Sequence, residues 1–155
     1  MTHHYTAHLT WTGNHGAGTH TYTAYGRDYE LSAPGKTVTI PGSSDPAFRG
    51  DPSRYSPEDL LVQSLAACHM LWYLHLCATK GVIVRAYTDA AEGEMTETDS
   101  GDGQFASVTL HPTVVVTEAG MVEQAEALHA QANRRCFIAR SVNFPVHHAG
   151  TVRVG

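Results

Sequence analysis

One segment constrains the fold more than any other: between Ser56 and Gly81 apolar residues fall on nearly every face of one long helix. Ser56 is a good N-cap, Pro57 suits the first helical position, and Asp59 completes a capping-box-like pattern. Gly81 marks the end. The run from Leu60 to Leu76 leaves no broad polar face, which predicts a central helix buried on most sides. A bilayer span needs about 20 predominantly apolar residues. Gln63, Ser64, His69 and His75 interrupt this run before it reaches that length, so a core helix is expected and a membrane partner is not.

The rest reads as strands and one further helix. Tyr5, Ala7, Leu9 and Trp11 alternate with polar residues, Gly13 to Gly18 supplies a turn, and Thr19 to Tyr25 returns at strand spacing. Glu30 to Ser32 and Thr37 to Ile40 flank the Pro34-Gly35 turn signal. Residues 41 to 55 are rich in Pro, Gly, Ser and Asp, a long loop of the kind that carries function. Beyond the helix, strands are expected at Val82 to Tyr87, Phe105 to Leu110 and Thr113 to Val116, with a turn at Asp99 to Gly103 and a bulge or edge at Pro112. Met121, Ala125, Leu128 and Ala132 then recur at helical spacing after a Thr117 cap, and Val142 to Val154 reads as a last strand made irregular by Pro145. The pattern is α+β: antiparallel sheets around a long apolar helix, in a single domain spanning 1–155. Ten Lys and Arg against 15 Asp and Glu, scattered except at Arg134-Arg135, make nucleic acid an unexpected partner. The opening Met1-Thr2-His3-His4 lacks the basic-then-apolar pattern of a secretory signal, so a cytoplasmic location is expected.

Three cysteines argue for reduced thiols over a disulfide framework, although free cysteine is also a commonly buried small residue. Cys68 and Cys77 share the long helix, on opposite faces and about 13 Å apart along its axis, beyond the roughly 7 Å that a disulfide spans. Cys77 is read as structural. For any intrachain pair Cys68 with Cys136 is the leading candidate, because Cys136 stands at an element boundary. Cys68 is too deep in the helix for the macrodipole to activate it, so a reactive thiol there needs a cation. Arg49 in the preceding loop and Glu58 in the first helical turn are the natural pair to supply and hold one.

Phe48-Arg49-Gly50, the Ser-Pro-Glu-Asp-Leu-Leu of 56 to 61, the Leu-Ala-Ala-Cys of 65 to 68, and Cys136 after the second helix together resemble the OsmC/Ohr family of organic hydroperoxide reductases. The resemblance covers nearly the whole chain, including Trp11 and the glycines of the first hairpin. It implies an OsmC-like intertwined homodimer, in which sheets from both chains wrap two central helices. It also implies a thiol peroxidase that reduces organic hydroperoxides to alcohols without a cofactor. The matching positions are Cys68 as peroxidatic thiol, Cys136 as resolving thiol, Glu58 as the carboxylate and Arg49 as the guanidinium, with Arg27 and Arg54 as rivals. The reductant implied is a dithiol of lipoyl type. His69 after the first cysteine, Phe137 after the second and Ser56 in place of a more usual Asn depart from the pattern.

Glu58 and Cys68 lie about 15 Å apart along one helix, so one arginine hardly touches both within a chain. Two subunits share the site, or the helix bends near its start. A thiol of pKa about 8.5 is a few per cent ionised at neutral pH, and lowering its pKa also lowers its nucleophilicity, so the arginine's larger task is to orient the peroxide and stabilise the departing oxygen. An apolar mouth favours organic over hydrogen peroxide: burying about 100 Å² of hydrocarbon contributes roughly 2.5 kcal/mol. Met70, Trp72, Tyr73 and Phe137 are candidates to line it, and ordinary core is their competing reading.

Eleven histidines raise a metal site, but His69 and His75 are not at ligand spacing and no Cys-x-x-Cys exists, so no metal is expected. A Cys-His hydrolase is disfavoured because His69 and Cys68, as helix neighbours, face apart. A noncatalytic dimeric small-molecule-binding protein of the same fold is the alternative.

Overall fold

The long helix α1 spans Pro57–Thr79 and is capped as its sequence predicts. Asp59 N–H donates to Ser56 Oγ at 3.1 Å while Ser56 N–H donates to Asp59 Oδ2 at 2.9 Å, a reciprocal capping box. At the other end Gly81 adopts φ +75°. Val82 N–H then reaches Cys77 O at 2.9 Å and Gly81 N–H reaches Ala78 O at 3.4 Å, the two bonds of a Schellman stop.

The computed structural model describes all residues, Met1–Gly155, in two compact units, Met1–Leu61 and Val62–Gly155. In the first unit, β1 (His8–Trp11), β2 (Tyr29–Ser32) and β3 (Ile40–Gly42) form an antiparallel sheet in the order β1-β2-β3. The expected strand at Thr19 to Tyr25 does not form. Asn14 Oδ1 accepts from Gly16 and Gly18 N–H, and the Arg27 guanidinium donates to Tyr22 O at 2.8 Å and to Tyr25 O, so the segment is tied into turns. Trp11 Nε1 donates to Gly26 O at 2.9 Å. Gly13 packs so closely on Gly26 that a Cβ there would lie 2.0 Å from Gly26 O, which explains the glycine.

In the second unit two three-stranded sheets share a pattern. β4 (Val84–Asp89), β7 (Pro112–Val116) and β9 (Thr151–Val154) form one, in the order β4-β7-β9. β5 (Glu92–Glu97), β6 (Gly103–Leu110) and β8 (Val146–His148) form the other, in the order β5-β6-β8. β4–β7 and β5–β6 pair antiparallel, whereas β6–β8 and β7–β9 pair parallel. The chain passes between the sheets at His111, whose N–H donates to Asp89 Oδ1 at 2.7 Å. β5 was not expected: all six of its side chains are exposed, so it carries no alternation. The last strand is broken in two, as Ala149 N–H turns to Leu110 O at 2.8 Å between β8 and β9. Pro112 is not an edge or a bulge. It begins β7, buried and paired with Asp89, and the register shift lies at Val84/Ala86.

Helix α2 (Val122–Arg135) follows a 3-10 turn, Ala119–Met121, with no side-chain cap, and the Thr117 hydroxyl turns instead to Met121 Sδ at 3.4 Å. The core between α1, α2 and the sheet of β4, β7 and β9 includes Tyr73, Leu76, Cys77, Val114, Leu128 and Ala132. A second cluster gathers Leu65, Val108 and Leu110. α1 is therefore buried along one stripe, Leu65, His69, Tyr73, Leu76 and Cys77, and not on most sides; Leu71 is 63 % exposed. At 23 residues the helix is, by length and composition, long and apolar enough to cross a bilayer. Its packed stripe, with a buried histidine bonded to α2, is that of a core helix instead.

Candidate active site

Cys68 lies about three turns into α1. Cys136 caps the C-terminus of α2, its N–H bonded to Ala132 O at 2.9 Å and Asn133 O at 3.3 Å. The structure brings these two thiols close enough for each to act on the other. Ala139 N–H donates to Cys136 Sγ at 3.4 Å. Burial, and then the neighbouring Cys68, push the Cys136 thiol up to about 11. Cys136 is 1 % exposed while Cys68 is half-buried, so Cys68 is the sulfur that a solute meets first. All three cysteines are free, and Cys77 is buried with its thiol pushed up by desolvation.

The residues expected to line a mouth divide. Trp72 stands one turn from Cys68 on the same face of α1, and Phe137, 67 % exposed, meets its ring edge-to-face at 5.5 Å. Met70 is half-buried and lies about 200° around the helix from Cys68, so it does not share that face. Tyr73 belongs to the core instead: it is 0 % exposed, and its hydroxyl donates to Ala125 O at 3.0 Å.

The arginines and Glu58 lie in the first unit. Arg54 pairs with Asp28 at 3.7 Å and Asp51 at 3.8 Å. Arg27 is clamped between Tyr22 and Tyr25, its guanidinium carbon 4.5 and 4.0 Å from their ring centres. Arg49 is exposed, 5.9 Å from the Tyr22 ring, and holds φ +65° at the end of the 3-10 turn Pro46–Phe48. A left-handed conformation in a non-glycine residue is the kind of strain that collects at working sites. Glu58 is half-buried in the first turn of α1; burial first, then Glu58 and Asp59, hold the Tyr29 phenol above its ordinary value.

Two features escaped the sequence. Arg135, next to Cys136, sets its guanidinium 5.7 Å from the Trp72 ring centre and adds a cation to the aromatic pair. His69, His129 and His148 converge from α1, α2 and β8, with ring centres 5.4 to 6.1 Å apart. They form no arrangement that holds a metal ion, since His69 Nε2 and His129 Nδ1 bond each other at 3.1 Å. The doublet His147-His148 was visible in the sequence, but only the fold joins it to helix residues 60 positions apart.

The family model for OsmC-like proteins matches residues 50–149. No curated protein matches the chain. Among solved structures, the chain is similar to an OsmC-like protein of unknown function from Vibrio cholerae, at 29 % identity and a TM-score of 0.84, over 96 % of this chain and 99 % of that one. It shares its fold with an organic hydroperoxide resistance protein from Elizabethkingia anophelis (17 % identity, TM-score 0.69, all of both chains). The same holds for one from Legionella pneumophila (16 % identity, TM-score 0.69, 97 % and 96 % covered). With two helices, several sheets and the family's pattern across 50–149, the chain belongs to the OsmC/Ohr family of OsmC-like proteins.

Proposed function

We propose that the chain is a thiol peroxidase that reduces organic hydroperoxides to alcohols. The observation that carries the reading is the asymmetric thiol pair: a half-buried Cys68 beside a buried Cys136 whose thiol is pushed up by burial and by that neighbour. The Cys68 thiolate attacks one peroxide oxygen, the O–O bond breaks, and the alkoxide leaves as alcohol after taking a proton. Cys68 is then a sulfenic acid. Cys136 attacks that sulfur, the S–S bond forms and water departs, so the two thiols have given two electrons to the peroxide. An external dithiol, of lipoyl type by family resemblance, returns them by disulfide exchange.

In the same proposal Arg49, held by Glu58, orients the peroxide and stabilises the departing oxygen. Trp72 and Phe137 take the hydrocarbon part. The working form is a homodimer in the cytosol. The exposed Leu71 supports the dimer, as does an apolar cleft of about 520 Å³ in the first unit, lined by Leu9, Trp11, Tyr29, Leu31, Pro57 and Leu60. Sedimentation equilibrium tests the assembly, and a monomer with full activity counts against it.

The decisive experiment treats wild type, Cys68→Ser and Cys136→Ser with one equivalent of cumene hydroperoxide and reads the products by mass. The expected result is a Cys68–Cys136 disulfide in the wild type and a trapped sulfenic acid on residue 68 only in Cys136→Ser. Thiols that stay reduced in the wild type reject the peroxidase and leave the noncatalytic binding module.

A further inference from the structure

Three contacts join α1 to α2: those of Tyr73 and His69 stand one turn apart on α1, and that of Cys68 lies one residue beyond His69, about 100° around the helix. Tyr73 Oη donates to Ala125 O at 3.0 Å, His69 Nε2 meets His129 Nδ1 at 3.1 Å, and the Cys136 thiol neighbours Cys68. As the numbers rise along α1 they fall along α2, so the helices run antiparallel and the dithiol is the last rung of a ladder. Slippage by one residue moves a helix about 1.5 Å along its axis, and a disulfide tolerates little change in Cα separation. Cys136 rides on the end of α2 through its own N–H bonds, so whatever fixes α2 against α1 fixes the sulfur–sulfur approach.

The middle rung differs from the others in being able to titrate. His69 is 0 % and His129 3 % exposed, and their rings stack with Tyr73, the His129 ring 4.0 Å from it. Beyond the bond they share, His69 Nδ1 and His129 Nε2 are buried without hydrogen-bond partners. In a neutral pair one ring donates and the other accepts. Two imidazoliums have only donors and cannot make the bond. The groups around them supply no compensating anion at the rung. His148 on β8 adds a third imidazole 5.9 Å from the His69 ring. Tyr73 faces from α1, and Glu126, which acts on the Tyr73 phenol, comes from α2. From β4 comes Tyr87, its ring 5.8 Å from Tyr73, with Asp89 beyond it. Gly150 and Pro112 close the far side of His129 without charge.

We propose that His69 and His129 are positioning residues for the dithiol: their mutual hydrogen bond holds Cys136 against Cys68, and acid, by breaking it, uncouples the resolving step. The proposal deepens the peroxidase reading and rests on it only for the name of that step. Desolvation holds both imidazoles down to about 4, which places the uncoupling below ordinary cytosolic pH and under acid stress.

A dipyridyl disulfide, which oxidises thiols even in acid and needs no peroxide, tests this directly. The Cys68 thiolate takes one pyridylthio group and releases one thiopyridone. Cys136 then attacks the Cys68 sulfur, the protein disulfide forms, and a second thiopyridone leaves. The second release reads the approach of the two sulfurs. His129→Asn keeps a hydrogen-bonding atom where Nδ1 stood but does not titrate, and His129→Leu removes it. The expected second-release rate at pH 7 is near wild type for His129→Asn and at least tenfold slower for His129→Leu.

From pH 5 to 3 the wild-type rate is expected to fall more steeply than the tenfold per unit set by thiol ionisation, whereas His129→Asn follows that slope. Equal acid slopes in wild type and His129→Asn overturn the proposal, and so does an unslowed His129→Leu. Should His129→Leu not fold, the comparison with His129→Asn still decides. Failure of hydroperoxide to oxidise Cys68 rejects the peroxidase and leaves this result standing.

Discussion

Cys136 stands beside Cys68 in a position that is 1 % exposed, at the negative end of the α2 dipole. Burial first, and then the neighbouring Cys68, keep it protonated. At pH 8 a thiol near 11 is ionised in about one molecule in a thousand. Iodoacetamide on the native protein at pH 8 is therefore expected to alkylate Cys68 first, leaving Cys136 and Cys77 unmodified until guanidinium unfolds the chain. Peptide mapping checks it, and early labelling of Cys136 contradicts the assigned roles.

Arg49 holds φ +65°, a conformation that costs a side-chain-bearing residue about 1 kcal/mol and glycine almost nothing. Gly50 is equally constrained, since a Cβ there would meet Ser44 O at 1.5 Å. Arg49→Gly is expected to raise stability by up to about 1 kcal/mol in urea unfolding while cutting hydroperoxide turnover at least a hundredfold. A variant that gains stability and keeps its turnover removes Arg49 from the mechanism and turns attention to Arg135.

The His69–His129 pair also sets the acid limit of the fold. Both imidazoles are held down to about 4, below their ordinary 6.5, so the folded state favours the neutral rings. Their contribution is present in full above pH 6.5 and is lost as pH falls from there through 4. Over that window the unfolding free energy should drop by a few kcal/mol, and by clearly less in His129→Asn. Denaturant titrations at a series of pH values measure it, and parallel wild-type and variant curves would disprove the assignment.

What the sequence disclosed was what is local. Ser56, Asp59 and Gly81 mark the ends of α1 because capping needs only neighbours in the chain. The family motif carried Cys68 and Cys136 in the same way. β5 gave no periodic signal because both its faces are exposed, and Thr19 to Tyr25 gave a false one because Arg27, outside the segment, decides its backbone. Tyr73 read either as a lining residue or as core, because the helix is apolar all round. Which stripe turns inward depends on α2, and so does the role of His69, whose partner lies 60 residues on.

The first rung of the ladder can be isolated from the other two. Tyr73 Oη donates to Ala125 O inside the core, and burial first, then Cys77, raises its phenol far above the ordinary value of 10. The folded state favours the protonated ring, so this contribution is complete below pH 10 and declines as pH rises above it. Tyr73→Phe removes the hydrogen bond and the titration while keeping the ring that stacks on His129 at 4.0 Å. It should cost about 1 kcal/mol at pH 7, the net worth of one hydrogen bond. Between pH 10 and 11.5 it should also flatten the loss of stability, with a residual slope from Tyr87, whose phenol is likewise raised by burial. Thermal unfolding across that range reads both effects. A variant as stable as the wild type at pH 7 and as sensitive to alkali would show that the contact contributes nothing to holding α1 on α2.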